Sequence, residues 1–285
     1  MSTALRVGRR SSLLMLAASA MCLVAFAWPL IAVGRGDLHA GDPNLAHQSD
    51  APWIFVALLP LLIAIIVAEM AEGELDAKCV AVLGVLAACG SALRIPGGIA
   101  GFEPVFFLLI PAGRVLGRGF GFVLGALTMF ASAMITGGVG PWLPFQMFGA
   151  AWVGFFAGCL PRAEGRAERW LLAGYGFVAG LGYGLLLDLW FWPYLSEGTT
   201  GAPVPGAGLW TNLHRFLAFH LATSMGWDLV RAVTTAVLVL LVGGPVLGAL
   251  HRVARRAAFG ADGTFSPPDP TATPPDPTAL AEPVP

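Results

Sequence analysis

The sequence predicts an all-α integral membrane protein, and three observations carry that expectation. Of 285 residues, 56% are hydrophobic and only 12% charged, with a mean hydropathy of +0.75, far from the mix of a water-soluble domain. Apolar runs recur at about the 20-residue length that crosses a bilayer as a helix. The charges gather in short clusters between those runs, and a net charge of −1 offers no continuous basic face for nucleic acid.

In chain order the runs fall at 11–33, 52–70, 79–95, 103–116, 119–136, 142–160, 170–192 and 214–249. The first follows Arg9 and Arg10, so a cleaved secretory or twin-arginine signal ending near Ala25-Phe26-Ala27 competes with a retained helix. The run from Leu13 to Val33 is longer than a usual signal core, which favours retention. The fourth run is short and contains Pro111, as a re-entrant or core segment would. The basic residues decide for a span. With it, and with the N-terminus inside, Arg6, Arg9, Arg10, Lys78, Arg114, Arg118, Arg162, Arg166, Arg169, Arg252, Arg255 and Arg256 are all cytoplasmic. Without it, Arg162, Arg166 and Arg169 move outside, against the positive-inside bias. Eight spans are expected, with both termini cytoplasmic.

Residues 260–285 differ in kind. "PPDPTA" occurs at 267–272 and again at 274–279, amid Ser, Thr and Pro, which predicts a disordered cytoplasmic tail. Cys22, Cys79, Cys89 and Cys159 lie in apolar runs without metal-ligand spacing and are expected to be buried thiols.

This topology leaves short basic connections inside. Outside it places three connections rich in Gly, Pro and aromatics: 94–104, 136–146 and 191–210. Irregular backbone at membrane depth survives only against protein or a cavity. Trp142, Phe145, Phe191, Trp192, Tyr194 and Trp210 are therefore candidate walls, with Gln146 and Arg94 as orienting polar groups. For Trp192, Tyr194 and Trp210 a headgroup belt competes equally. Trp142, between Pro141 and Pro144, and Phe145, next to Pro144, favour the pocket.

Asp188, Asp228 and Arg231 are the ionisable residues expected inside spans. Asp228 and Arg231 are three apart and share a helix face, so an interhelical lock with Asp188 and a polar ligand pathway remain open together. His214 and His220 precede them as expected interfacial residues. Gly84, Ala88 and Ala92 repeat at four-residue spacing and leave one helix face without bulk, for packing in the bundle or for another membrane subunit. Gly117, Gly121 and Gly125 form a second such stripe. No phosphate-binding loop, zinc motif or nucleophile motif is present in the sequence, and no repeated half marks a secondary transporter.

Residues 78–256 resemble the substrate-binding S component of an energy-coupling factor (ECF) vitamin transporter. The resemblance rests on "RIPGGIAGFEP" (94–104), "IPAGRVLGRGFGFVLGA" (110–126), "SAMITGGVGPWLPFQMFGAAWVGFFAGCLP" (132–161) and "GGPVLGALHRVARR" (243–256). It implies a six-helix core over 78–259 that binds a vitamin-like micronutrient from outside. The core would dock on a membrane coupling subunit driven by two ATPases, without enzymatic activity, cofactor or metal of its own. The family's Ala-xxx-Ala docking face maps onto Gly84, Ala88 and Ala92, with Gly84 departing from Ala. Its binding site maps beneath Arg94 to Glu103, and Arg94, Glu103, Trp142, Phe145 and Gln146 are the expected pocket residues. The "GGVGPWLPFQMF" loop is most similar to cobalamin-type members, with riboflavin, biotin, thiamine and dimethylbenzimidazole as alternatives. Two N-terminal spans, in residues 1–77, are additional to the family pattern. A structural membrane scaffold with a similar body is the rival expectation, and a membrane enzyme acting through Asp188, Asp228 and His220 is a third.

Overall fold

A computed structural model describes residues 9–36, 47, 51–71, 77–97, 99–195 and 201–256. The expected tail at 260–285 lies outside them. The described residues are 86% helical without a strand. The helices are α1 (Arg9–Arg35), α2 (Ala51–Ala71), α3 (Ala77–Arg94), α4 (Phe106–Leu116), α5 (Arg118–Thr136), α6 (Leu143–Cys159), α7 (Gly165–Phe191), α8 (Leu209–Thr223) and α9 (Met225–Arg256). Single 3₁₀ turns lie at Ile99–Gly101 and Trp192–Tyr194.

Five of these helices, within 9–35, 51–68, 118–136, 165–194 and 225–255, are long and apolar enough to cross a bilayer; α4 and α6 are shorter apolar helices. Large apolar side chains point outward around the bundle: Trp53 is 75% exposed and Leu241 73%. In water such a surface would drive association. Against lipid tails it carries no penalty, and the chain is a multi-pass, all-α membrane protein.

The expected run at 214–249 is not one helix. Thr223 and Ser224 interrupt it: the Thr223 hydroxyl donates to the Phe219 carbonyl at 2.7 Å and lies 3.3 Å from the Ser224 hydroxyl. Short hydroxyl side chains of this kind compete with the backbone ladder. As a result α8 packs mainly on α1, while α9 packs on α7 and α4.

Glycine sets the closest helix contacts. A Cβ on Gly113 or Gly121 would overlap the Gly154 carbonyl, and one on Gly125 would overlap that of Ala150. The α4, α5 and α6 backbones therefore touch, as small-residue interfaces in membranes allow. Of the expected stripe, Gly121 and Gly125 lie in this seam. Gly117 is instead the corner between α4 and α5, at φ 103, a conformation that glycine alone adopts freely. A second seam was not expected: Gly176, Gly180 and Gly184 of α7 face Thr235, Ala232 and Asp228 of α9.

Burial of the cysteines divides in two. Cys22 and Cys79 are buried, but Cys89 and Cys159 are exposed, contrary to expectation. Apolar runs do not separate lipid-facing from core-facing positions, and a thiol suits both.

The N-terminal helix is part of the bundle. It runs unbroken through 25–27 and buries Met15, Ala18, Cys22, Ala25 and Phe26. The Trp152 indole donates to the Ser19 hydroxyl at 2.9 Å. At its far end the carbonyls of Val33 and Gly34 accept from the Gly206 and Gly208 amides at 3.0 and 3.1 Å, tying α1 to the segment before α8.

Candidate functional site

At the bundle end that carries the α3–α4 and α5–α6 connections, polar side chains from six helices and one loop join in a string. Arg94, the last residue of α3, donates to Gln146 Oε1 at 2.8 Å and to the Ser132 hydroxyl at 2.9 Å. Its Nε lies 3.9 Å from Glu103. The other Glu103 oxygen accepts from Arg231 Nε at 2.5 Å, and Arg231 also donates to Asp228 Oδ1. The Arg231 guanidinium sits 5.4 Å from the centroid of the Tyr183 ring, a cation–π distance. Beyond Asp228, His220 Nε2 is 3.8 Å from Oδ2, and His220 Nδ1 is hydrogen-bonded to Asp188 Oδ2 at 2.7 Å.

Local geometry explains how residues so far apart in the chain meet. After α3 the backbone turns through left-handed angles at Ala100 (φ 52) and Gly101 (φ 83). A Cβ on Gly101 would overlap the Trp227 carbonyl, so the loop lies directly on α9. Glu103 is thereby delivered to Arg231, one helical turn beyond Trp227. On the opposite side, the space of a Cβ on Gly184 is filled by the Asp228 carboxylate. The missing side chain on α7 is the notch in which that carboxylate sits.

The charged side chains of the string are at most 17% exposed. At such sites charge pairs interact more strongly than in water, and removing one partner strands the other.

Of the expected pocket residues, Arg94, Glu103 and Gln146 converge in this string, and Trp142 and Phe145 do not. The reason is helical. Gln146 was expected in a rigid loop, but α6 already begins at Leu143 with Pro144 in its first turn, where proline is well tolerated. Phe145 and Gln146 are thus consecutive helix residues and point about 100° apart. Gln146 meets Arg94, while Phe145 is fully buried against Phe26, His47 and Trp190, with ring centroids 4.8, 4.5 and 6.2 Å away. Trp142 is 39% exposed, donates its indole N–H to the Gly138 carbonyl at 3.1 Å and meets Trp190 edge-on.

The remaining aromatics divide. Trp192 is fully buried, donates to the Gly201 carbonyl at 3.0 Å and packs on Phe216. Trp210 is 72% exposed, as a belt residue is. Phe191 packs on Phe219, and Tyr194 lies 5.2 Å from the His47 ring.

Gly84, Ala88 and Ala92 form an exposed stripe on α3, and a Cβ on Gly84 would meet nothing within 4 Å. The opposite face of α3 packs on α5, where Gly90 abuts Thr128 and the Ser91 hydroxyl lies 3.3 Å from the Thr128 carbonyl.

The sequence placed His220 at the interface and grouped it with Asp188 and Asp228 only under the enzyme alternative, without pairing it to Asp188 in the lock. The expected lock is extended accordingly: Arg231 holds Asp228 and Glu103, and His220, buried to 4% exposure, links that pair to Asp188. A cavity of about 450 Å³ lies at the opposite end of the bundle, between Met15, Ser19, Phe122, Trp152 and Phe155, with Arg118 at its edge. It shares no residue with the expected pocket. No family model, curated protein or solved structure matches the chain.

Proposed function

We propose that the chain is the substrate-capture subunit of an ATP-driven ECF-type importer. In this reading α3 to α7 and α9 form the six-helix core, α8 leads into its last member, and α1 and α2 are additional. Both termini face the cytoplasm of a cell-membrane protein. The Arg94 end faces outward and receives a vitamin-like micronutrient, cobalamin or a related corrinoid first among the candidates. A membrane coupling subunit docks on Gly84, Ala88 and Ala92, and two ATPases supply the energy.

One observation carries this reading: Arg94, Glu103 and Gln146 converge beneath the loop between α3 and α4, on the helix whose exposed stripe lacks bulk. A guanidinium with an amide and a carboxylate beside it can orient the amide or hydroxyl rim of an amphipathic ligand, with Trp142 at the margin.

The test is to purify the full chain from vitamin-fed cells, identify any bound small molecule, and titrate cyanocobalamin, riboflavin, biotin and thiamine. The reading expects saturable binding of one of them, weakened by Gln146→Ala or Trp142→Ala. Absence of binding by a folded preparation rejects it.

A membrane scaffold is the second reading, and internal pairing favours it. Arg94 and Glu103 already satisfy one another and their neighbours, and Phe145 is covered. It expects Trp142→Ala and Gln146→Ala to leave function intact.

A further inference from the structure

Three helix ends meet at Asp188, His220 and Asp228. Asp188 lies one turn before the end of α7, His220 one turn before the end of α8, and Asp228 in the first turn of α9. One ligating atom from each falls within 4.8 Å of the others. All three residues are buried, at 8%, 4% and 3% exposure.

We propose that Asp188, His220 and Asp228 bind one first-row divalent metal ion of the zinc class. This goes beyond the transport reading and does not depend on it.

Three observations support the site. First, Asp228 Oδ2 has no hydrogen-bond partner among the described residues, with His220 Nε2 3.8 Å away. A buried carboxylate oxygen left bare is costly, and a metal ion satisfies it. Second, the charge fits. Arg94 and Arg231 stand against Glu103, Asp188 and Asp228 in the string, so with a neutral imidazole the carboxylates outnumber the cations by one, and the excess favours a cation. Third, the position is confined: the Gly184 notch seats the Asp228 carboxylate, and all three residues are buried.

The donor set points to the class of ion. One imidazole and two carboxylates suit zinc and its neighbours, whereas calcium and magnesium take oxygen-only shells. Tetrahedral ligands about 2.1 Å from zinc stand about 3.4 Å apart. The farthest pair must therefore close by about 1.4 Å, from the 4.8 Å limit, so binding requires the carboxylates to rotate. The bound ion would join α7, α8 and α9 across the interruption at Thr223 and Ser224.

The experiment uses the full, tag-free chain in detergent, stripped with EDTA and dialysed against zinc chloride. The expected result is one tightly held zinc per chain, counted by mass spectrometry, with a saturable rise in unfolding temperature. Asp188→Asn and His220→Gln should each weaken binding at least about tenfold, since even outer-shell changes cost that much. His214→Gln, at an exposed histidine outside the cluster, should bind as the unaltered chain does. Excess magnesium should not displace the zinc. Failure of the unaltered chain to retain zinc, or equal retention in Asp188→Asn and His220→Gln, overturns the proposal. Should those variants not fold, cobalt titrated into the unaltered chain decides it: a saturating visible spectrum abolished by zinc supports the site, and its absence rejects it.

Discussion

At the α4–α5–α6 seam, helices meet backbone to backbone through Gly113, Gly121 and Gly154, whereas at the Arg94 end helices are joined by charged side chains. In the seam, cohesion is spread over many weak contacts that need only the absence of volume. In the string it is concentrated in a few pairs, and each charge depends on its neighbour. The seam therefore fails when an atom is added, and the string fails when one is removed.

The largest expected effect comes from deleting the cation that serves two carboxylates. Arg231→Met leaves Glu103 and Asp228 without their shared partner and should cost about 3–5 kcal/mol of stability, read as unfolding in detergent. A loss below about 1 kcal/mol would mean that water reaches the string and screens it. Adding volume to the seam comes next. Gly154→Ala places a Cβ against the Gly121 carbonyl and should cost roughly 1–3 kcal/mol in the same assay, while Gly174→Ala, where a Cβ meets nothing within 4 Å, should not. Gln146→Ala removes one acceptor of Arg94, which keeps Ser132 and Glu103, so about 1.5 kcal/mol is expected for a bond to a charged group. The smallest effect belongs to the open face of α3. Gly84→Leu should leave stability within about 1 kcal/mol of the unaltered chain and, under the importer reading, reduce co-purification with a coupling subunit; equal recovery of that complex would count against the proposed docking on this stripe.

Hydropathy made the helical class and most helix positions legible, and helical spacing foretold that Asp228 and Arg231 would pair. Those features are local. Glu103 and Arg231 are separated by 128 positions, and nothing in either neighbourhood names the other. The link depends on Gly101 lying against Trp227, a contact between backbones that leaves no periodic trace. Asp188 and His220 meet for a similar reason, across α7 and α8. The interruption at Thr223 and Ser224 carries no proline, so the apolar run concealed it. Phe145 and Gln146 were misjudged in another way: they were assigned to the 136–146 connection, whereas Pro144 sits in the first turn of α6. The stripe Gly176, Gly180, Gly184 had a readable four-residue spacing, and its partner face on α9 became evident only in three dimensions.

The cover over Phe145 has a quantitative consequence for recognition. Phe26 and His47 pack against the ring with centroids 4.8 and 4.5 Å away, so under the importer reading a ligand that needs this ring competes with the chain's own N-terminal region. Its apparent Kd equals the intrinsic Kd divided by the fraction of molecules in which the ring is uncovered. If that fraction were about one in a hundred, affinity would fall about a hundredfold, with no change in any ligand contact. Under the importer reading α1 would then act as a threshold on ligand concentration, set by how firmly it is held at Ser19, Val33 and Gly34.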